Sequence, residues 1–192
     1  MNDSSTGGIL LPINDDPIND APLDLLFQTY CASITGLALR NVRERFTGEP
    51  ATPPDYGASW AAVGVMGIQD DQYPQQDLRA DGSYAITRHE MLDVLCSFYG
   101  PRAQAIARMA RDTILIAQNR EPLDAAGIAF MSAGQPIKAP ALIQSRWTNR
   151  IDVTFTFRRA ITEIYAILPV ARAVGAALTD GGLPATFDTP ST

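Results

Sequence analysis

Few residues in this sequence have side chains suited to catalysis. His89 is the only histidine, and Cys31 and Cys96 are the only cysteines. Activation of a thiol by a general base requires the sulfur and the imidazole to lie within hydrogen-bond reach. Because His89 and Cys96 stand at odd and even positions of one strand pattern, their side chains point to opposite faces and cannot meet along it. We interpret His89 as a surface or interface hydrogen-bonding residue and both cysteines as buried free thiols.

An acidic segment is the second candidate for chemistry. Asp70, Asp71, Asp77 and Asp81 lie within one polar stretch, and carboxylate oxygens are ligands of hard cations. Their spacing lacks the glycine and the distal glutamate of a calcium-binding hand, so a solvated loop is the favoured interpretation. The sequence also contains no phosphate-binding loop, nucleophile elbow or zinc-protease motif. We therefore expect no enzyme activity, no catalytic residue, no metal site and no cofactor.

The charge and composition narrow the classes of partner. The net charge is -6, which makes the chain a poor generic binder of nucleic acid, because phosphate contacts require a basic surface. Lys138 is the only lysine among 15 basic residues. Arginine is favoured at protein interfaces, although a GC-rich genome explains the same bias. The N-terminal segment lacks the basic and apolar regions of a signal peptide, and no stretch approaches the roughly 20 apolar residues that a membrane helix needs.

The elements that must position these residues are predicted from periodicity. Residues 84–99 and 146–161 alternate apolar and polar side chains, a pattern typical of long, half-buried antiparallel strands. In the first of them, one face carries Arg88, Glu90, Leu92, Val94, Cys96 and Phe98. Shorter strands are predicted at 41–46, 59–69 and 128–139.

Helices are predicted between these strands. Apolar residues at three- and four-residue spacing predict a helix from Pro22 to about Gly36 and another from Pro101 to about Gln118. A short helical turn is predicted at 123–126. The fold class is therefore α+β, with a mostly antiparallel sheet flanked by helices.

Three segments make up the predicted domain organisation. Residues 1–20 are rich in Asp, Asn, Ser, Gly and Pro and form an extended N-terminal arm, which either orders on a neighbour or stays disordered. Residues 21–175 form the α+β domain, with loops at 47–58 and 70–82. Residues 176–192 are predicted to form a flexible, loop-like C-terminal tail.

Four blocks of the sequence resemble one known family. The blocks are WAAVGV at 60–65, RHEMLDVLCSFYGPRAQ at 88–104, AQNREPLDAAGIAFMSAG at 117–134 and QSRWTNRIDVTFTFRR at 144–159. In this order they resemble the phage neck terminator family. The resemblance implies a tail-terminator-like mixed sheet flanked by helices and a structural virion protein of a tailed bacteriophage, without catalytic residues.

The resemblance also implies partners. Proteins of this kind form a ring at the neck, commonly of six copies, which terminates the tail tube and joins it to the head connector. The implied partners are other copies of the chain, the tail tube protein, the head–tail connector protein and, in passage through the lumen, genomic DNA. The expected location is the virion, after assembly in the host cytoplasm. Alternatives are another head-to-tail connector or head-completion protein, or a small enzyme of unknown type.

The arginine-bearing outer faces of the long strands are the expected subunit contacts. The alternative is solvated charge, or cross-strand pairing with Asp152 and Glu163. The candidate interface residues are Arg88, Arg102, Arg150, Arg158, Arg159 and Trp147.

Overall fold

The computed structural model describes residues 3–45, 54, 57–167, 172–178 and 184–190. Its helices are α1 (Asp20–Thr35), α2 (Ala103–Thr113) and α3 (Ala117–Ala125), with a 3-10 turn at Leu39–Asn41. The longer strands are β2 (Trp60–Asp70), β4 (Tyr84–Tyr99), β5 (Ile128–Ala133), β9 (Arg150–Tyr165), β10 (Arg172–Leu178) and β11 (Pro184–Pro190). The shorter strands are β1 (Val42–Glu44), β3 (Gln75–Leu78), β6 (Ile137–Lys138), β7 (Ala141–Ile143) and β8 (Arg146–Thr148). The α+β class and the mostly antiparallel sheet are confirmed.

The chain divides into two compact units. The larger unit comprises Asp16–Pro74 and Arg88–Ile161, and the smaller unit comprises Met1–Asp15, Gln75–Thr87 and Thr162–Thr192. No helix in the described ranges is long and apolar enough to cross a membrane.

The sheet of the larger unit has the strand order β1-β2-β4-β9-β5, and β6 also pairs with β9. β1 runs parallel to β2, whereas β2 with β4 and β5 with β9 are antiparallel. Side-chain bonds from Ser97 to Asp152 and from Thr156 to Asp93 advance in opposite directions along β4 and β9. These two central strands are therefore antiparallel as well.

Apolar residues of alternate strand positions face the helices and form the core. Because side chains alternate across a strand, β4 and β9 each send every second residue to this face, as the sequence pattern predicts. Phe27 of α1 packs against Phe157 of β9 with ring centroids 5.0 Å apart. The fully buried large side chains include Phe27, Leu92, Val94, Phe98, Ile106, Ile114, Leu123, Phe155 and Phe157.

The start and the end of α1 are fixed in different ways. Gly36 follows the helix with φ of 66°, the left-handed conformation that a glycine C-cap adopts at low cost, and the predicted end is confirmed. At the start, the N-cap residue Asn19 makes no side-chain cap bond. Its Oδ1 instead accepts a hydrogen bond from Arg159 Nη2 at 2.7 Å. The strand β9 thus holds the beginning of the helix in place.

The region after α2 differs from the prediction. The helix ends at Thr113, not near Gln118, and α3 begins at Ala117 and contains Pro122. Carbonyls at the break are bonded by side chains of the next helix: Asn119 Nδ2 donates to the Thr113 carbonyl at 2.9 Å, and Arg120 Nη1 donates to the Leu115 carbonyl at 2.9 Å. These bonds satisfy the open end of α2, which periodicity alone does not reveal.

The smaller unit contains strands in two segments that the sequence predicted to be loops. Within the predicted loop at 70–82, Gln75–Leu78 forms β3 and pairs antiparallel with the start of β4. In the predicted tail, Pro184–Pro190 forms β11 and pairs antiparallel with β10. Those two loop predictions were wrong, because pairing partners decide whether short polar segments become strands. Most of the predicted loop at 47–58 lies outside the described residues.

The N-terminal arm is anchored within the smaller unit. Ser4 N donates to the Ala166 carbonyl at 3.1 Å and Ile13 N donates to the Ile164 carbonyl at 2.8 Å. Asn14 Oδ1 also accepts from Ile164 N at 2.7 Å. The residues between these anchors lie on the surface, where Ile9 is 82% exposed. The arm is therefore a tethered segment that presents apolar side chains.

Candidate interaction surface

The sheet face of the larger unit opposite the helices, here called the open face, carries a connected polar network. Ser97 Oγ on β4 donates to Asp152 Oδ1 on β9 at 2.5 Å, and a guanidinium nitrogen of Arg45 donates to the same Ser97 oxygen. Arg150 holds Asp152 with two hydrogen bonds, at 2.7 Å from Nε and 2.6 Å from Nη2. The network joins the end of β1 to β9 across the sheet and fixes the orientation of these side chains.

An aromatic pair borders this network. The rings of Trp60 and Tyr99 stack with centroids 3.9 Å apart and planes 4° from parallel. The Arg150 guanidinium carbon lies 5.8 Å from the centre of the Tyr99 ring, within the range of a cation–π attraction. The hydrogen bonds that Arg150 donates to Asp152 raise the pKa of Arg150 above its ordinary value. This end of the open face is a rigid aromatic and cationic cluster.

Next to the cluster, β7 and β8 form a hairpin with exposed apolar side chains. Its turn residues Gln144 and Ser145 have φ of 49° and 62°, as the tight hairpin turn with two positive φ values requires. Leu142 and Trp147 stand directly opposite each other in the register and are 61% and 72% exposed. Large apolar side chains grouped at the surface typically mark a contact site. The hairpin is therefore a candidate interaction element.

A cavity of about 300 Å³ opens between this hairpin and the end of β4, lined among others by Trp60, Pro101 and Trp147. Gly100 forms part of its wall and has φ of 95°. A Cβ at this position would lie 2.4 Å from the Ala58 carbonyl oxygen. Glycine is thus required here both by its backbone conformation and by the close approach of a neighbouring segment.

A basic groove of about 630 Å³ lies on the other side of Pro101, between α2 and β6. Its charged lining residues are Arg108, Arg111 and Lys138. Arg108 and Lys138 are exposed, and Nε of Arg111 has no hydrogen-bond partner among the described residues. In a chain of net charge -6, this groove concentrates positive charge beside a mainly apolar cavity, which Arg146 also lines.

The predicted interface residues have unequal environments. Trp147 borders the cavity, Arg150 belongs to the open-face network, and Arg102 and Arg158 are exposed. Arg88 Nη1 donates to the Asp71 carbonyl at 3.0 Å.

Arg159 has the most enclosed environment of the six. Its side chain is 6% exposed and forms an ion pair with Glu90 at 2.7 Å. It also donates to the Ile18 carbonyl and to Asn19 Oδ1. Its guanidinium therefore makes its contacts inside the chain.

The cysteines and the acidic loop, which are the candidates for chemistry in the sequence, are engaged in contacts within the chain. The thiol of Cys96 is buried beside that of Cys31, and their hydrogen bond and burial hold the pKa of Cys96 well above its ordinary value. A thiol with a raised pKa is a poor nucleophile. Asp81 accepts from Ser83 N and Oγ; these bonds lower its pKa and tie its carboxylate into a turn. The described residues contain no group of three or more potential metal ligands.

Sequence reasoning missed the open-face network and the basic groove. The sequence predicts Asp152 as a pairing partner for arginine, but its hydrogen bond from Ser97 depends on the register between β4 and β9. Arg108 and Arg111 stand three positions apart, a spacing that places both on one side of a helix, and that pattern was a usable sign of the groove.

The family model described as phage neck terminator protein matches residues 21–181. The curated proteins include no match.

Proposed function

The chain belongs to the phage neck terminator protein family and is a structural component of the phage virion; we propose that it forms a ring that terminates the tail tube and joins it to the head connector. The match over residues 21–181 carries this proposal, since it extends from the first turn of α1 to the end of β10. The family is a structural one and not an enzyme class.

The sheet of the larger unit supports a ring geometrically. A ring is built from a heterologous interface, in which two different patches meet around the circle. Among the described strands, β5 pairs only with β9, and β1 pairs with β2 only as far as Val63. Two different edges are thus available: β5, and the distal part of β2. Each bears an exposed methionine, Met131 at 51% and Met66 at 52% exposure.

The proposed assembly has six copies, with the tail tube protein on one side and the head–tail connector on the other. It forms in the host cytoplasm, and the genomic DNA passes through its lumen. Net charge of -6 suits such a conduit, because a negatively charged wall does not retain DNA. A lumen lined with arginine in an image of the assembled neck would contradict that part of the proposal.

Edge variants test the ring. Met66→Asp and Met131→Asp each place a charge on one edge, and both are expected to abolish rings in light scattering after size exclusion. A mixture of the two variants retains one intact interface between unlike subunits, so it should yield heterodimers and no rings. Leu115→Asp is the matched control, since Leu115 is 64% exposed and lies outside the strands.

Other outcomes separate the alternatives. A wild-type chain that stays monomeric at all concentrations and is absent from purified virions would contradict the proposal. Cryo-microscopy of the intact neck that places the chain elsewhere than at the end of the tail tube would identify it as a different connector protein.

A further inference from the structure

We propose that the N-terminal arm of one copy docks into the surface beside Pro101 of a neighbouring copy. This surface, here called the Pro101 groove, consists of the apolar cavity at Trp147 and the basic groove at Lys138. The inference rests on the proposed ring and names one of the contacts within it. It concerns the larger unit of the copy that receives the arm and the segment 5–16 of the copy that supplies it.

The Pro101 groove has two chemically different halves that meet at one residue. Pro101 lines both the cavity of about 300 Å³ and the basic groove of about 630 Å³. Trp60 and Trp147 give the first half its aromatic walls. Arg108 and Lys138 give the second half its positive charge. Aromatic-lined grooves of this kind accept extended segments that contain proline and aliphatic side chains.

The arm has the complementary chemistry in the same arrangement. Ile9, Leu10, Leu11, Pro12 and Ile13 form an apolar run, and Asp15 and Asp16 follow it after the single polar residue Asn14. Residues 1–20 contain four aspartates and no lysine, arginine or histidine. A short apolar run with two acids close behind it therefore matches a mainly apolar cavity that adjoins a basic groove.

The arm is also presented in a form that favours docking. Ile9 and Leu11 are 82% and 71% exposed, which is costly for aliphatic side chains in water. Backbone hydrogen bonds tether the arm of the same copy at both ends of this run, from Ser4 N to the Ala166 carbonyl and from Ile13 N to the Ile164 carbonyl. A segment that is already tethered loses less conformational entropy on binding than a free one. Burial in the neighbour's cavity then removes apolar surface from water at a reduced cost of ordering.

Nucleic acid is the competing occupant of the basic half. The chain as a whole is acidic, with net charge -6. A phosphate backbone binds through basic side chains and gains no such contact from the tryptophan walls of the cavity. The arm satisfies both halves. The inference would be overturned if a short DNA duplex bound the wild-type protein and failed to bind the Lys138→Glu variant.

Cross-linking between differently labelled copies gives the direct test. Unlabelled and ¹⁵N-labelled full-length protein are mixed, with a photoreactive phenylalanine analogue at position 11 in one of them. We expect mass spectrometry to show mixed-label peptides that join position 11 to the segments around Pro101 or Trp147. Cross-links confined to one label, or located on another segment, would overturn the inference.

A charge exchange gives the second test. Lys138→Glu combined with Arg108→Glu should weaken association about tenfold, and Asp15→Arg combined with Asp16→Arg should weaken it similarly. The four changes together should restore association, since opposite charges face each other again. Arg79→Glu, at an exposed arginine of the β3–β4 turn, is the matched control and should leave association unchanged.

The two proposals fail in distinguishable ways. Rings that persist unchanged in all the charge variants would overturn the arm inference and leave the proposed function intact. Absence of rings in the wild-type protein would contradict the proposed function itself.

Discussion

The two faces of the sheet in the larger unit are made by the same strands but are stabilised differently. On the helix-covered face, side chains such as Phe98 and Phe155 are at most 2% exposed, and burial of apolar surface is the dominant stabilising term. On the open face, Arg150 and Asp152 form their ion pair with side chains 26% and 16% exposed. Substitutions on the first face should therefore cost more stability than substitutions on the second.

The neighbours Arg158 and Arg159 show the same contrast in two consecutive residues. Arg158 is exposed on the open face, and the side chain of Arg159 is 6% exposed and paired with Glu90 on the other face. Because successive side chains of β9 point to opposite faces, the guanidinium of Arg158 faces solvent, whereas that of Arg159 binds other segments of the chain. Residue type alone is therefore a poor guide to an interface.

The largest expected effect is a cavity on the helix-covered face. Phe155→Ala should lower the free energy of unfolding by about 3–5 kcal/mol, the usual cost of a phenylalanine truncation in a core. Trp147→Ala, on the exposed hairpin, should change it by less than about 0.5 kcal/mol. Urea unfolding at a protein concentration that keeps the chain monomeric measures both. Equal losses in the two variants would contradict the dominant contribution of the helix-covered face to stability.

The second effect compares ion pairs on the two faces. Arg159→Ala should cost about 3 kcal/mol, because Glu90 is left nearly buried without a cation. Arg150→Ala should cost about 1 kcal/mol or less, since its pair with Asp152 is closer to solvent. Arg158→Ala serves as the control and should leave stability within about 0.5 kcal/mol. The same urea titration applies, and an Arg150→Ala loss larger than that of Arg159→Ala would reverse the ranking.

The third effect concerns the wall of the cavity. Gly100→Ala should cost about 2 kcal/mol or more, because its Cβ meets the Ala58 carbonyl in addition to the strain of a positive φ. Gly127→Ala is the matched control: its φ is 72° and a Cβ there meets nothing within 4 Å. That variant should cost about 1 kcal/mol, from the backbone strain alone. Thermal unfolding of both variants separates steric from conformational cost; identical midpoints would refute the close approach.

The smallest effect at neutral pH involves a polar group on the helix side. The Tyr30 hydroxyl is buried without a hydrogen-bond partner among the described residues, so Tyr30→Phe should leave stability unchanged or slightly higher. Burial raises the pKa of Tyr30 from 10.0 to about 12. Because the unfolded chain loses this proton first, the wild-type protein should lose stability relative to Tyr30→Phe as pH rises from 10 to 12. Unfolding midpoints across that range measure the difference; parallel curves would contradict it.

The long elements of the fold were predictable, and the paired short ones were not. Residues 84–99 form one strand as predicted, since period-two alternation over 16 residues leaves few alternatives. The sequence predicts loops at β3 and β11. Each of these short segments is a strand because it pairs with another strand, β4 or β10, and its own residues do not show the alternation that predicts a strand. The break between α2 and α3 was missed since side chains of Asn119 and Arg120 stabilise it. For the candidate site, Trp147 was predicted, but the Pro101 groove was not, because its walls come from separate segments.

The sequence by itself determined the fold class, the faces of β4 and β9, and the membership of the family, because alternation and local motifs depend on neighbours along the chain. The tertiary structure decided which arginines remain available to partners. Arg150 pairs with Asp152, which lies two residues further along the same strand. Around Arg159, by contrast, the folded chain brings Glu90 of β4 and Asn19 at the start of α1. Hydrogen-bond partners and burial are set by contacts between distant segments, and those contacts exist only once the chain is folded.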